Sequence, residues 1–181
     1  IVLGESILAA SFAIQSAIQA GDVTSDLTAI IVGGLLIVFA MWWLYFDRPT
    51  NGLLTSLPRA FVCGYGHYAI FASAAAVGAG LGVAVDHATR HAEIGSFGAS
   101  AAVAVPVAIY LLGLWALHVR LEETSPAGAG MTPIVAFLVL LTPWTGQSVP
   151  LTGLLVSGLL AVKVVKRHQE TARTESRPRS L

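Results

Sequence analysis

The chain has 181 residues, of which 55% are hydrophobic, and a mean hydropathy of +0.76. Only 11% are charged, where a soluble domain carries about 25%; a soluble reading would need six helices apolar all round, so the composition excludes it. Ten basic and ten acidic residues cancel to a formal net charge of zero, and a lone cysteine, Cys63, excludes an internal disulfide.

Apolar runs cover residues 1–19, 27–46, 60–85, 97–118, 131–143 and 148–165. About 20 residues rising 1.5 Å each cross a hydrocarbon core of roughly 30 Å. The expected fold is therefore all-α, a polytopic transmembrane helix bundle with six spans. Residues 1–165 form the membrane domain and residues 166–181 a basic cytoplasmic tail. The chain opens inside an apolar run at Ile1-Val2-Leu3-Gly4, without the basic region and cleavage site of a signal peptide. The expectation is a fragment whose N-terminal part lies outside this sequence.

The first helix ends near Gln19, where Gly21-Asp22 and Ser25-Asp26 make a polar turn and Asp26 is placed to cap the next helix. The second closes on Trp42-Trp43-Leu44-Tyr45-Phe46 and then Asp47-Arg48-Pro49. Trp and Tyr favour the headgroup level, and proline stops the helix. The third is rich in Gly, Ala and Ser and gives way to a polar loop bearing His87 and His91. The fourth ends near His118, where a histidine suits the helix dipole. The last two runs are short and joined by Pro143-Trp144-Thr145-Gly146-Gln147. They read as a tight hairpin, with one long broken helix as the alternative. From Lys166 onward the chain is polar and basic and reads as disordered.

Placing the C-terminal tail inside puts Arg48, Arg59, Arg120, Lys163, Lys166, Arg167, Arg173, Arg177 and Arg179 on the inner side and only Arg90 outside. That bias predicts a multi-pass protein of the inner (plasma) membrane with both ends of this stretch cytoplasmic.

The candidate site is intramembrane. Glu5 lies within the first apolar run, where an ionised group costs about 3 kcal/mol or more and so normally faces the bundle interior. At 100° per residue, Ser16 and Gln19 fall within about 40° of Glu5, a polar stripe on one face. Counting back from Gln19 puts Glu5 roughly 20 Å from the outer boundary. His67, in Gly64-Tyr65-Gly66-His67-Tyr68, falls roughly 10 Å from the inner boundary, about the same depth. It shares a wheel face with Ala74 and Gly78, beside the small-residue segment Gly78-Ala79-Gly80-Leu81-Gly82. A Glu5–His67 pair is the expected core of the site. It reads either as a proton-responsive couple or as a structural pair that fixes helix register. Asp47 reads as an interfacial partner of Arg48 or as the wall of a vestibule below Glu5. His87 and His91, four apart, share a side if the helix continues through them, which makes them weak zinc candidates; a solvated loop is the plainer reading. No phosphate-binding Gly-Lys-Ser/Thr, no Gly-x-Ser-x-Gly and no Cys-x-x-Cys occurs. No catalytic residue and no cofactor is expected.

Three segments in order, Ile1-Val2-Leu3-Gly4-Glu5-Ser6, Trp42-Trp43-Leu44-Tyr45-Phe46-Asp47 and Gly66-His67-Tyr68 followed by Ala74-Ala75-Ala76-Val77-Gly78-Ala79-Gly80, resemble the bacterial low temperature requirement protein A (LtrA) family. The likeness covers the first half well and rests on hydropathy from the fourth helix on. It implies an inner-membrane protein with more spans than are present here and with an acidic Leu-Glu-Leu-Phe-Phe-Asp type motif upstream, which this chain lacks. Glu5, Trp43, Asp47 and His67 fall on family motif positions. The family name records a growth phenotype at low temperature, not a reaction.

Two functions follow as expectations. One is a proton- or cation-coupled transporter or channel using Glu5. The other is a non-transporting membrane protein that supports the envelope or growth in the cold through lipid or protein contacts. An intramembrane enzyme ranks third and is not the expectation. The expected partners are the lipid bilayer and the N-terminal half of the same protein, with no nucleic acid.

Overall fold

The structure, a computed structural model, describes residues 2–19, 24–46, 57–91, 93–122 and 130–175, with some side chains inside these ranges, those of Glu5 and Ser16 among them, outside the described set. The described residues form six α-helices: α1 (Val2–Gln19), α2 (Ser25–Phe46), α3 (Leu57–Ala88), α4 (Ser96–Glu122), α5 (Met131–Leu141) and α6 (Ser148–Glu175). A 3-10 turn over Thr142–Thr145 links α5 to α6. Among the described residues there is no strand.

Four segments, Ser25–Phe46, Cys63–Ala88, Ser96–Val119 and Ser148–Gln169, are long and apolar enough to cross a membrane. Met131–Thr145 is apolar but shorter. The all-helical class is as expected, and four of the six expected spans have a full-length counterpart among the described residues. The shortfall at α5 is geometric: 11 residues reach only about 16 Å. Large apolar side chains point outward all round. Phe39 on α2, Ile109 on α4, Phe137 on α5 and Leu154 on α6 are each about half exposed or more. A monomer in water rarely shows so continuous an apolar surface, and in lipid it costs nothing. This is the exterior of a membrane protein.

Lipid tails are as apolar as leucine, so close packing rather than water exclusion must hold the helices together. α3 packs most extensively on α4, α2 on α6, and α1 on α3. Glycines make two of these seams. A Cβ on Gly33 would lie 2.7 Å from Pro150 Cα, and one on Gly153 would lie 2.7 Å from the Gly33 carbonyl oxygen, so α2 and α6 meet backbone to backbone. At the other seam a Cβ on Gly80 would overlap the carbonyl oxygen of Ala102. That carbonyl is special, because Pro106 lies four residues further along α4 and has no N–H to give it. The acceptor that proline frees faces Gly80, a position of α3 without a side chain, where a Cα–H can approach.

The centre is apolar: Ile37, Met41, Ile70, Val77, Val103, Val107, Leu111, Val139 and Val156 are fully buried. Tyr110 is buried among them, and its hydroxyl donates to the Met41 carbonyl at 2.8 Å, tying α4 to α2. The α5–α6 junction has its own polar lock. Thr142 donates to the Val139 carbonyl at 2.8 Å. Its one proton is then used, so Ser148 (2.8 Å) and Thr152 (3.1 Å) both donate to Thr142 Oγ1. All three residues are at most 4% exposed. Gly146 makes the turn with φ 74°, so a 3-10 turn and a left-handed glycine divide α5 from α6.

Where the sequence predicts a disordered tail from Lys166, α6 instead runs on to Glu175. Lys, Arg, Glu, Gln and Ala are good helix formers, and the turn is continued by His168, whose Nδ1 lies 2.9 Å from the Val164 carbonyl.

Candidate intramembrane polar site

Two contacts set the register of α1. Ile14 packs against the small cluster of Leu27, at the start of α2, and Val85, near the end of α3, while Ile7 and Ser11 share a crevice with Leu81, one turn before Val85, so α1 runs parallel to α3 with their C-terminal ends near one level. From Ile14 back to Glu5 is nine residues, roughly 14 Å; from Val85 back to His67 is 18 residues, roughly 27 Å. The helix levels of Glu5 and His67 therefore differ by about 13 Å, where equal depth was expected. The equal depth expected for them came from counting inward from each helix end. α3, at 32 residues, is about 48 Å long and overshoots the apolar core, so its first residue is a poor marker of the boundary.

Of the polar stripe on α1, Gln19 is exposed, and the side chains of Glu5 and Ser16 fall outside the described set. Asp47 lies outside the described residues altogether. Phe12, on the same wheel face, is 62% exposed. Ser11 on α1 gives its proton to the Ile7 carbonyl at 2.8 Å and lines a small, almost wholly apolar crevice with Ile7, Ile14, Gly34 and Leu81.

His67 is fully described. It is half-buried, on the helix face that carries buried Ala74 and Gly78. Its Nδ1 lies 2.6 Å from the Cys63 carbonyl oxygen and 3.6 Å from Cys63 Sγ. A carbonyl only accepts, so Nδ1 is the donor in this contact, and Nε2 is the ring nitrogen left for another partner. The ring meets Tyr45 of α2 edge-on at 6.0 Å and Phe71 at 5.7 Å. Its neighbours are thus a backbone carbonyl, a thiol and two aromatic rings. Cys63 and Tyr45 were not in the predicted site; the i, i+4 spacing of Cys63 and His67 was the available signal.

Toward Glu5's level, the buried face of α3 offers Ile70, Ala74 and Val77. Ser73 is also buried there, but its hydroxyl is spent on the Ile70 carbonyl at 2.9 Å.

The two loop histidines do not share a helix face. α3 ends at Ala88, Arg90 takes the left-handed conformation with φ 60°, and His91 Nδ1 lies 2.9 Å from Thr89 Oγ1. The continuous helix that the zinc geometry requires is absent. Among the described residues no three His, Cys, Asp or Glu side chains converge where a metal ion could sit.

Residues 1–165 match the family model described as bacterial low temperature requirement A protein (LtrA). The chain belongs to this family. The match extends through α4, α5 and the apolar part of α6, where motif resemblance gave out and hydropathy alone remained. No curated protein and no solved structure matches the chain. Membership and the outward apolar surface agree that this LtrA chain is a membrane protein.

Proposed function

We propose that this LtrA-family protein carries protons or small cations through the membrane, with Glu5 as the ion-binding group and His67 as a second polar station nearer the positively flanked face. The carrying observation is a carboxylate on an apolar helix that packs along α3, where an ionisable group has no cheap structural use. The reading takes the six apolar runs as six crossings, with both ends of the region in the cytoplasm of a bacterial inner membrane, and assigns no enzymatic step. His67 acts through Nε2, since Nδ1 is held by the Cys63 carbonyl.

One observation favours a second reading. The described α3 surface between the two levels is apolar apart from Ser73, as in a protein whose polar groups only fix packing while it serves the envelope through lipid or protein contacts. Dye-reported proton and cation flux in liposomes separates the two, using the complete protein beside Glu5→Gln and His67→Gln. Ion carriage predicts flux in the parent, none in Glu5→Gln, a reduced rate in His67→Gln, and equal folding of all three. Absence of flux in every form, across several ions, removes the transport reading and leaves the packing role.

A further inference from the structure

At the end of the bundle where α2, α4 and α6 begin and α3 stops, the helices part around a cleft of about 430 Å³. Asp26, His87, Arg90, Ser96, Gln147 and Ser148 line it. Asp26 belongs to the first turn of α2 and Arg90 to the turn after α3. These opposite charges face one space, yet no ion pair joins them.

Arg90 is placed there at a cost. His91 N–H donates to the Asp86 carbonyl (2.9 Å) and Arg90 N–H to the His87 carbonyl (3.1 Å), the paired bonds that end a helix with a left-handed residue. That residue is usually glycine; a longer side chain in this conformation carries about 1 kcal/mol or more of strain. A guanidinium is held at the mouth where an unstrained glycine would close the helix equally well. α4 and α6 also present their N-terminal ends to the cleft, through Ser96 and Ser148, with no acidic residue in the first turn. Their first helical bonds come from Ala99 N–H to Gly95 and from Leu151 N–H to Gln147, so earlier N–H groups remain free for an acceptor. The cleft thus has an anion-seeking side, made by Arg90 and these helix ends, and a cation-seeking group, Asp26.

We infer that this cleft binds a small zwitterion, one with an ammonium and an oxyanion a few bonds apart, seating the oxyanion on the Arg90 side and the ammonium on Asp26. The same chemistry comes from a free solute or from the headgroup of an ethanolamine phospholipid. The site does not depend on Glu5 carrying ions.

Isothermal titration of the complete protein in phosphate-free detergent tests it, with O-phosphoethanolamine as the probe and inorganic phosphate and ethylammonium as its separate halves. The expected result is saturable one-site binding of the zwitterion at least about tenfold tighter than either half. Asp26→Asn should lower zwitterion affinity about tenfold and leave phosphate affinity no weaker. Arg90→Asn, a residue that accepts the left-handed turn, should weaken both, and Arg90→Lys should restore part of the loss. Circular dichroism checks that the variants fold. Nanodiscs of ethanolamine lipid that block the soluble probe, where phosphatidylglycerol nanodiscs do not, assign the zwitterion to the bilayer; equal binding in both assigns it to free solute. The inference is overturned by the absence of saturable binding, by phosphate alone matching the zwitterion, or by equal affinity in the parent, Asp26→Asn and Arg90→Asn.

Discussion

Gly80→Ala is the sharpest test of how this bundle is held together. The added methyl meets the backbone carbonyl of Ala102, which cannot swing aside as a side-chain tip could. Restoring an ordinary contact of 3.4–4 Å requires α3 and α4 to part by more than an ångström at their crossing, and a gap of even 0.5–1 Å forfeits about a quarter to a half of each neighbouring contact. Overpacking of this kind costs about 1–3 kcal/mol, or a fall of roughly 2–12 °C in Tm for a protein of this size. Gly82 supplies the control, since it lies on the same helix, two residues away, with nothing within 4 Å of its would-be Cβ. Gly82→Ala should be neutral or slightly stabilising, because alanine is the better helix former. The assay is thermal unfolding in detergent, read by fluorescence-detected size exclusion after a temperature series. Pro106→Ala adds a third arm, for it returns an N–H to the Ala102 carbonyl and draws it back toward its own helix. In that background the Gly80→Ala loss should shrink. Equal Tm for Gly80→Ala and Gly82→Ala would refute the close α3–α4 crossing and the account of Pro106 with it.

The polar ties make smaller predictions on the same assay. Thr142→Val strips the acceptor shared by Ser148 and Thr152 and should cost about 1–2 kcal/mol; adding Thr152→Val should cost less than its separate effect, because one orphaned hydroxyl is removed. Tyr110→Phe loses the 2.8 Å bond to Met41 and should cost about 1 kcal/mol, with the ring's packing unchanged. Gly33→Ala, whose methyl would meet the Pro150 backbone at 2.7 Å, should loosen α2 from α6 and raise amide exchange in both helices; protection equal to the parent's would count against that seam.

How much of this could be read in advance depends on which physical constraint each feature obeys. A bilayer demands length and apolarity from each helix separately, so the runs at 27–46, 60–85 and 97–118 are legible one at a time, and α2, α3 and α4 follow them. Pairing obeys a different constraint. That α2 lies on α6, and α3 on α4, depends on glycines meeting a backbone far away in sequence, as Gly153 meets Gly33 and Gly80 meets Ala102, and one sequence does not display which will meet. Depth is harder still, because a helix longer than the hydrocarbon core does not reveal where the core begins. His67 was therefore set level with Glu5, and the Ile14–Val85 contact sets them apart. That offset has a consequence for mechanism. If Glu5 serves an ion path that reaches His67, roughly 13 Å must be bridged, and Ser73 is the one buried polar side chain on the described face of α3 between them. Its proton is already given to Ile70, which leaves it able only to accept. Ser73→Ala should then leave proton flux unchanged while the bundle keeps its Tm. A flux that falls in this variant, with folding intact, would mean that Ser73 releases Ile70 during transport and that the apolar stretch between the two levels opens to water.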